Sequence, residues 1–136
     1  MWKSTLGAAC LALGLSGAAM AQEQIRISSD WGEVTATLAD NSAADALLEM
    51  LPLTIEMRDH LRQEKTGYLP SDLPELPRQR DFGVGTLGLW SSNHFVIYYN
   101  SGSVPAPGII ILGQITGDVS IFDRPGNVTV ELTRLE

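Results

Sequence analysis

Residues 35–57, TATLADNSAADALLEMLPLTIEM, constrain the fold more than any other stretch, because a strand, a short capped helix and a second strand follow one another in one window. Val34, Ala36 and Leu38 alternate with Glu33, Thr35 and Thr37, the period of a half-buried strand. Ser42, with Asp45 three residues on, is the expected N-cap, forming a capping box with Asp where Glu or Gln is usual. Ala44, Leu47, Leu48 and Leu51 share one helical face, and Pro52 lacks the N–H needed to extend the helix, which should end near Met50. Leu53, Ile55 and Met57 then alternate with Thr54, Glu56 and Arg58, so the period of two returns. The window specifies architecture and no reaction.

The first residues have the character of an address. Lys3 supplies a minimal positive region, Leu6 to Ala19 is an apolar run rich in Ala, Gly and Leu, and Ala19-Met20-Ala21 fits signal peptidase cleavage before Gln22. Residues 1–21 are expected to be a signal peptide and 22–136 the mature domain, periplasmic or secreted. The apolar run is shorter than an ordinary membrane span, so no membrane attachment is expected after cleavage. Cys10 lies too early in the run for lipidation.

Residues 22–136 are enough for one domain with a real core. Without Lys3, eight basic residues face sixteen acidic ones. Such a chain repels phosphate backbones and anionic lipid, and no basic cluster offsets this, so nucleic acid is not an expected partner. The only cysteine leaves with the leader, which removes disulfides, thiol nucleophiles and thiolate metal sites from the mature protein. Its stability must come from packing.

The remaining organisation is mostly strands. Ile25 and Ile27 lie on one face of residues 24–29, which pair across Asp30-Trp31-Gly32 with residues 33–38. Residues 86–90 and 94–99 form a second hairpin around Ser91-Ser92-Asn93, Ile109 to Ile115 is an apolar run of strand length, and residues 127–135 alternate Val128, Val130 and Leu132 with Thr129, Glu131 and Thr133. Six or so short strands with a single good helix favour a mainly β fold, a closed barrel with one or two short helices, since closure removes exposed strand edges. Between Leu69 and Arg80, Pro70, Pro74 and Pro77 exclude regular structure, and LPSDLPELPRQR is expected as a rigid loop laid across the barrel.

Two opening strands, the helix ending in LLEMLPL, the strand pair GTLGLWSSNHFVIYY, then IIILGQITGDVSIFD and a last alternating strand resemble the small bacterial cyclophilin-like domain family. At greater distance the element order is similar to that of the peptidyl-prolyl isomerase cyclophilins. The resemblance implies an eight-stranded barrel with a helix closing one end. It also implies a test for isomerase chemistry, which in cyclophilins uses an arginine of a Phe-His-Arg strand, a glutamine of Gln-Gly-Gly-Asp and an aromatic proline pocket. Here Glu56-Met57-Arg58-Asp59-His60 occupies the corresponding strand, and Arg58 is the sole catalytic candidate. Phe95 and Ile97 resemble part of the family's Gln-Phe-Phe-Ile strand. Gln-Gly-Gly-Asp is missing, and SGSVPAPG lacks the family's later Trp and His and prepares no comparable pocket wall.

Other chemistry finds no support. Gly83-Val84-Gly85-Thr86-Leu87-Gly88 matches G-x-G-x-x-G, but a β-hairpin follows it where a nucleotide loop needs a helix N-terminus. His60 and His94 are the only histidines and form no ligand pair by spacing, so neither metal nor cofactor is expected. A binding surface remains. Tyr68, Trp90, His94, Phe95, Tyr98 and Tyr99, with Arg78 and Arg80 on the proline loop, are the candidates to line an aromatic, partly cationic mouth for a small molecule or peptide. The competing reading is that the aromatics simply fill the barrel or cover its wall. The expected function is therefore a binding or interaction module, with a divergent isomerase using Arg58 as the alternative.

Overall fold

The alternating segments close on themselves. In a computed structural model, which describes residues 22–135, the elements run β1 (Gln24–Ser29), β2 (Gly32–Leu38), α1 (Ser42–Met50), β3 (Leu53–His60), β4 (Glu64–Tyr68), β5 (Asp81–Phe82), β6 (Thr86–Trp90), β7 (His94–Tyr98), β8 (Gly102–Ser103), β9 (Ile110–Ile115), a 3₁₀ turn (Val119–Phe122) and β10 (Val128–Arg134). Eight of these strands form a closed antiparallel barrel in the order β1-β10-β3-β4-β7-β6-β9-β2, and β5 pairs with β8 as a separate ribbon. The signal-peptide assignment lies outside the described residues. Among those described, no helix is long and apolar enough to cross a membrane.

Register places the apolar set of each strand in the interior. Ile25 faces Ala36 and Ile27 faces Val34 across β1 and β2, while Val130 faces Ile55 across β10 and β3. All six are buried, as the alternation required. Helix α1 turns Ala43, Ala44, Leu47 and Leu48 into the same core, and Leu69 and Leu73 of the proline loop join it. The Leu69 and Leu73 N–H groups donate to the carbonyls of Asn93 and Ser92, tying that loop over the β6–β7 turn. The expected loop across the barrel is what the structure contains.

Two local expectations change. The N-cap is Asn41 and not Ser42: its Oδ1 accepts from the Ala44 N–H at 2.8 Å while its Nδ2 donates to the Ile111 carbonyl at 3.0 Å. The amide thus caps the helix and anchors it to β9 together, a double role that the single hydroxyl of serine fills less well. The second change is β4 itself, which the charged pair Glu64-Lys65 had hidden in the sequence. Both residues are wholly buried, on opposite faces of the strand. Gly67 follows them because β3 crosses too closely for a side chain: a Cβ there would lie 2.5 Å from the Glu56 carbonyl oxygen.

Lys65 points inward at one end of the barrel. Its ammonium donates to Asp59 Oδ1 at 2.9 Å and to the carbonyls of Arg124 and Gly126, and lies 4.9 Å from the centre of the Trp31 ring. Asp59 also accepts from the Tyr99 hydroxyl, and Arg62 donates to that hydroxyl and to Asp123. Burial alone would raise the Asp59 carboxyl, but the hydrogen bonds from Tyr99 and Lys65, with the attraction of the Lys65 charge, outweigh it and hold the group below the usual carboxylate range. Every Lys65 donor has a partner, so the charge is structural.

Candidate functional site

The outer wall of β3, β4, β7 and β6 carries the chemistry, because the residues between the inward-facing ones fall there. Pairing sets His60, Glu64 and Tyr98 in one row, Arg58, Thr66, Val96 and Gly88 in the next, and Tyr68, His94 and Trp90 in a third. The first and middle rows are covered at their Tyr98 and Val96 ends, while His60 and Arg58 stay exposed. Phe82 of β5 stacks on Tyr98 at 3.7 Å between ring centres, and with Ile109 and Val96 they form a second hydrophobic cluster outside the barrel. Gly88 leaves room for it, since a Cβ would meet Ile109 Cδ1 at 3.1 Å and Tyr98 Cε2 at 3.3 Å. This is the work of the G-x-G-x-x-G glycine, which lies within β6 and opens no helix.

Beside that cluster a cleft of about 800 Å³ lies between the β3–β4 turn, the end of β6 and the loop 103–108. Its walls are Leu61, Trp90, Val104, Pro105 and Pro107, and its polar groups come from His60, Gln63, Glu64, Glu75, Arg78, Ser91 and Ser103. Leu61, 77% exposed, stands at its lip. Glu64 is wholly buried; its Oε2 pairs with His60 Nδ1 at 2.5 Å, and its Oε1 has no partner. Trp90 donates its indole N–H to the Tyr98 hydroxyl, and burial pushes the Tyr98 phenol well up from its ordinary value. Arg78 is held on every side: bidentate to Glu75, and donating to the carbonyls of Leu89, Ser91 and Gly108.

Outside the cleft the aromatic row continues. Trp90 meets the rings of His60 and His94 nearly edge to face, at 5.2 and 4.9 Å, and Tyr68, 65% exposed, stacks on His94 at 4.3 Å. Burial first, then the charges of Arg58 and His60, lowers the His94 pKa, which favours the neutral imidazole.

The candidates from the sequence therefore divide. Arg78 and Trp90 line the cleft, and Tyr68 and His94 extend its aromatic row. Tyr98 lies on the outer wall but is sealed beneath Phe82, and Arg80 donates to the Val104 carbonyl and shapes the loop without facing the cleft. Phe95 and Tyr99 do not belong to any mouth: both sit in the barrel core, because β7 alternates and their positions face inward. Arg58 takes the outward face expected from parity and makes none of the ion pairs among the described residues. Phe95, its imagined neighbour in a proline groove, is on the other side of the sheet. Loop 101–108, expected to prepare no wall comparable to that of the cyclophilin proline pocket, lines one side of this different cleft through Ser103 to Pro105, Pro107 and Gly108. His60 and Glu64 were missed as a pair, since only the β3–β4 register brings them side by side. Among the described residues no His, Cys, Asp and Glu cluster could hold a metal.

The profile of the Cyclophilin-like family matches residues 27–133, from β1 through β10. The chain belongs to the cyclophilin-like family. A solved structure of the same fold is that of a hypothetical protein from Archaeoglobus fulgidus, determined in solution, with a TM-score of 0.68 and 12% identity over 84% of this chain and 95% of that one. At this identity the likeness is one of fold alone. No curated protein matches the chain. The family resemblance seen in the sequence, including the eight-stranded closed barrel, thus holds in the structure.

Proposed function

We propose that this cyclophilin-like protein is an exported binding module whose ligand, a small molecule or peptide, occupies the cleft beside Trp90. The observation that carries the reading is the coincidence of that cleft with backbone strain. Among the described residues, three that are not glycine adopt left-handed backbone, Leu61 (φ 56°), Arg62 (φ 52°) and Ser91 (φ 45°). Leu61 and Ser91 line the cleft, and Arg62 lies between its lining residues Leu61 and Gln63. Such conformations cost of order 1–3 kcal/mol each and gather at functional sites, where surrounding structure holds them. The cleft volume suits one compact ligand, and its apolar walls with a few convergent polar groups have the character of a binding site.

Isomerase chemistry through Arg58 has no comparable support. The groups beside Arg58 in its row are Thr66, Val96 and Gly88, and the wall over them is filled by the second hydrophobic cluster. On its other side Arg58 lines a cleft of about 340 Å³ with Trp31, Glu56 and Asn127, and no glutamine is among the residues that line it.

The test is an NMR titration of the mature protein with a small-fragment library. Shifts should concentrate on the indole N–H of Trp90 and the amides of residues 60–64 and 103–108; a library that binds only elsewhere, or not at all, sinks the reading. Export is a separate matter with its own measurement. The intact mass of the protein from the exported fraction should correspond to a chain beginning at Gln22, and a retained Met1 would overturn the leader assignment.

A further inference from the structure

The smaller cleft beside Arg58 carries charges that the fold leaves unmatched. It lies between the β1–β2 turn, the outward face of β3 and the start of β10, and Asp30, Glu56 and Arg58 line it. All three are exposed, so a solute reaches each head group directly. None of them enters an ion pair among the described residues. Elsewhere on the outer surface opposite charges do close on each other: Arg26 of β1 and Glu33 of β2 meet at 2.8 Å. Glu56 and Arg58 stand two residues apart on one strand, roughly 6.8 Å at the backbone, and stay open to a third group.

Unpaired charges of both signs select by sign. A purely anionic solute gains Arg58, whose guanidinium is charged at any working pH, but meets two carboxylates that stand in water; a purely cationic one gains the carboxylates and meets Arg58. A molecule with both an ammonium and a carboxylate satisfies all three residues at once.

Trp31 decides which end goes where. It donates its backbone N–H to Ser29 Oγ at 3.0 Å, while its indole N–H has no acceptor among the described residues and adds a donor for a carboxylate beside Arg58. Its ring already carries the Arg124 guanidinium at 4.5 Å and the Lys65 ammonium at 4.9 Å from the centre, which keeps a further cation off that face and directs it to Asp30 and Glu56. Met57 and Val128 supply apolar surface between the charges. We propose that this cleft binds a free α-amino acid with an apolar side chain, its carboxylate on Arg58 and the Trp31 indole, its ammonium on Asp30 and Glu56. A volume of about 340 Å³, at the lower end for ligand sites, suits a molecule of that size. The site shares no lining residue with the cleft beside Trp90, so the two assignments stand or fall separately.

The experiment titrates the mature protein with leucine, leucinamide, N-acetylleucine and N-acetylleucinamide, which carry both charges, the positive, the negative and neither, at pH 6.5, where an α-amino group is protonated. NMR shifts should gather on the Trp31 indole N–H and the amides of residues 56–58 and 127–129. Leucine should bind about fivefold more tightly than any of its derivatives, the most that one exposed ion pair contributes, and high salt should shrink that preference. Arg58→Gln should bring leucine down to the level of leucinamide, and Asp30→Asn with Glu56→Gln should bring it down to that of N-acetylleucine. These positions are exposed, so the variants should keep the fold, which thermal unfolding checks. Equal binding of the four compounds, a leucine-to-leucinamide ratio that Arg58→Gln leaves unchanged, or the absence of shifts around Trp31 overturns the assignment. Shifts confined to Trp90 and residues 60–64 and 103–108 also overturn it, and leave the cleft beside Trp90 standing.

Discussion

Replacing Lys65 with methionine should destabilise the domain by about 3 to 5 kcal/mol, the cost of removing one partner from a buried charge pair. Methionine fills most of the volume, so the loss comes from what is left behind. Asp59, with only 16% of its side chain exposed, loses its buried counter-charge, and the carbonyls of Arg124 and Gly126 lose a shared donor. Urea unfolding at pH 7 measures the effect; a change below about 0.5 kcal/mol, the range of ordinary surface substitutions, would mean that the Lys65 cluster does not hold the barrel end together. The pH dependence has a definite sign. Because the Asp59 carboxyl is lowered on folding, its contribution is present above the unfolded-state value of about 3.9 and is lost as pH falls through the folded-state value. In Lys65→Met this acid limb should flatten, since attraction to the ammonium is among the causes of the lowering.

Leu47→Ala should cost about 2 to 5 kcal/mol, through lost apolar transfer and an unfilled cavity. Leu47 is completely buried, on the face of α1 that joins the core cluster. For a domain of this size that is a fall in Tm of roughly 10 °C or more. Glu49→Ala, on the exposed face of the same helix, is the control and should stay within about 0.5 kcal/mol. If Leu47→Ala behaved like the control, the helix would not be the plug of the barrel. Leu48, slightly more exposed, should show the smaller loss of the two leucines.

The candidate site was legible only in pieces. Trp90, Arg78, Tyr68 and His94 were recognisable as aromatic or cationic residues near a proline loop, and the first two do line the cleft. Tyr98 and Tyr99 are adjacent and chemically alike, yet one lies on the outer wall under Phe82 and the other inside above Asp59. Alternation says that they face opposite ways and does not say which way is covered. Glu64 is the sharper case: in sequence, Glu64-Lys65 after the exposed Leu61-Arg62 turn has the composition of a solvated hairpin tip.

The positions of β1, β2, α1, β3, β6, β7, β9 and β10, the inward faces of β1, β2, β3 and β10, the end of α1 before Pro52 and the outward face of Arg58 were determined by the sequence alone, because periodicities of 2 and 3.6 and the chemistry of proline act within a few residues. The burial of Glu64 and Lys65, the second hydrophobic cluster and the cleft were decided only by the tertiary structure. Each depends on segments far apart in the chain meeting: Phe82 and Ile109 over Tyr98, loop 103–108 opposite the 60–64 turn, Arg124 and Gly126 around Lys65. A strand carries in its own residues the difference between its two faces, but whether the outer face meets water, a loop or a ligand is set by what the rest of the chain lays upon it.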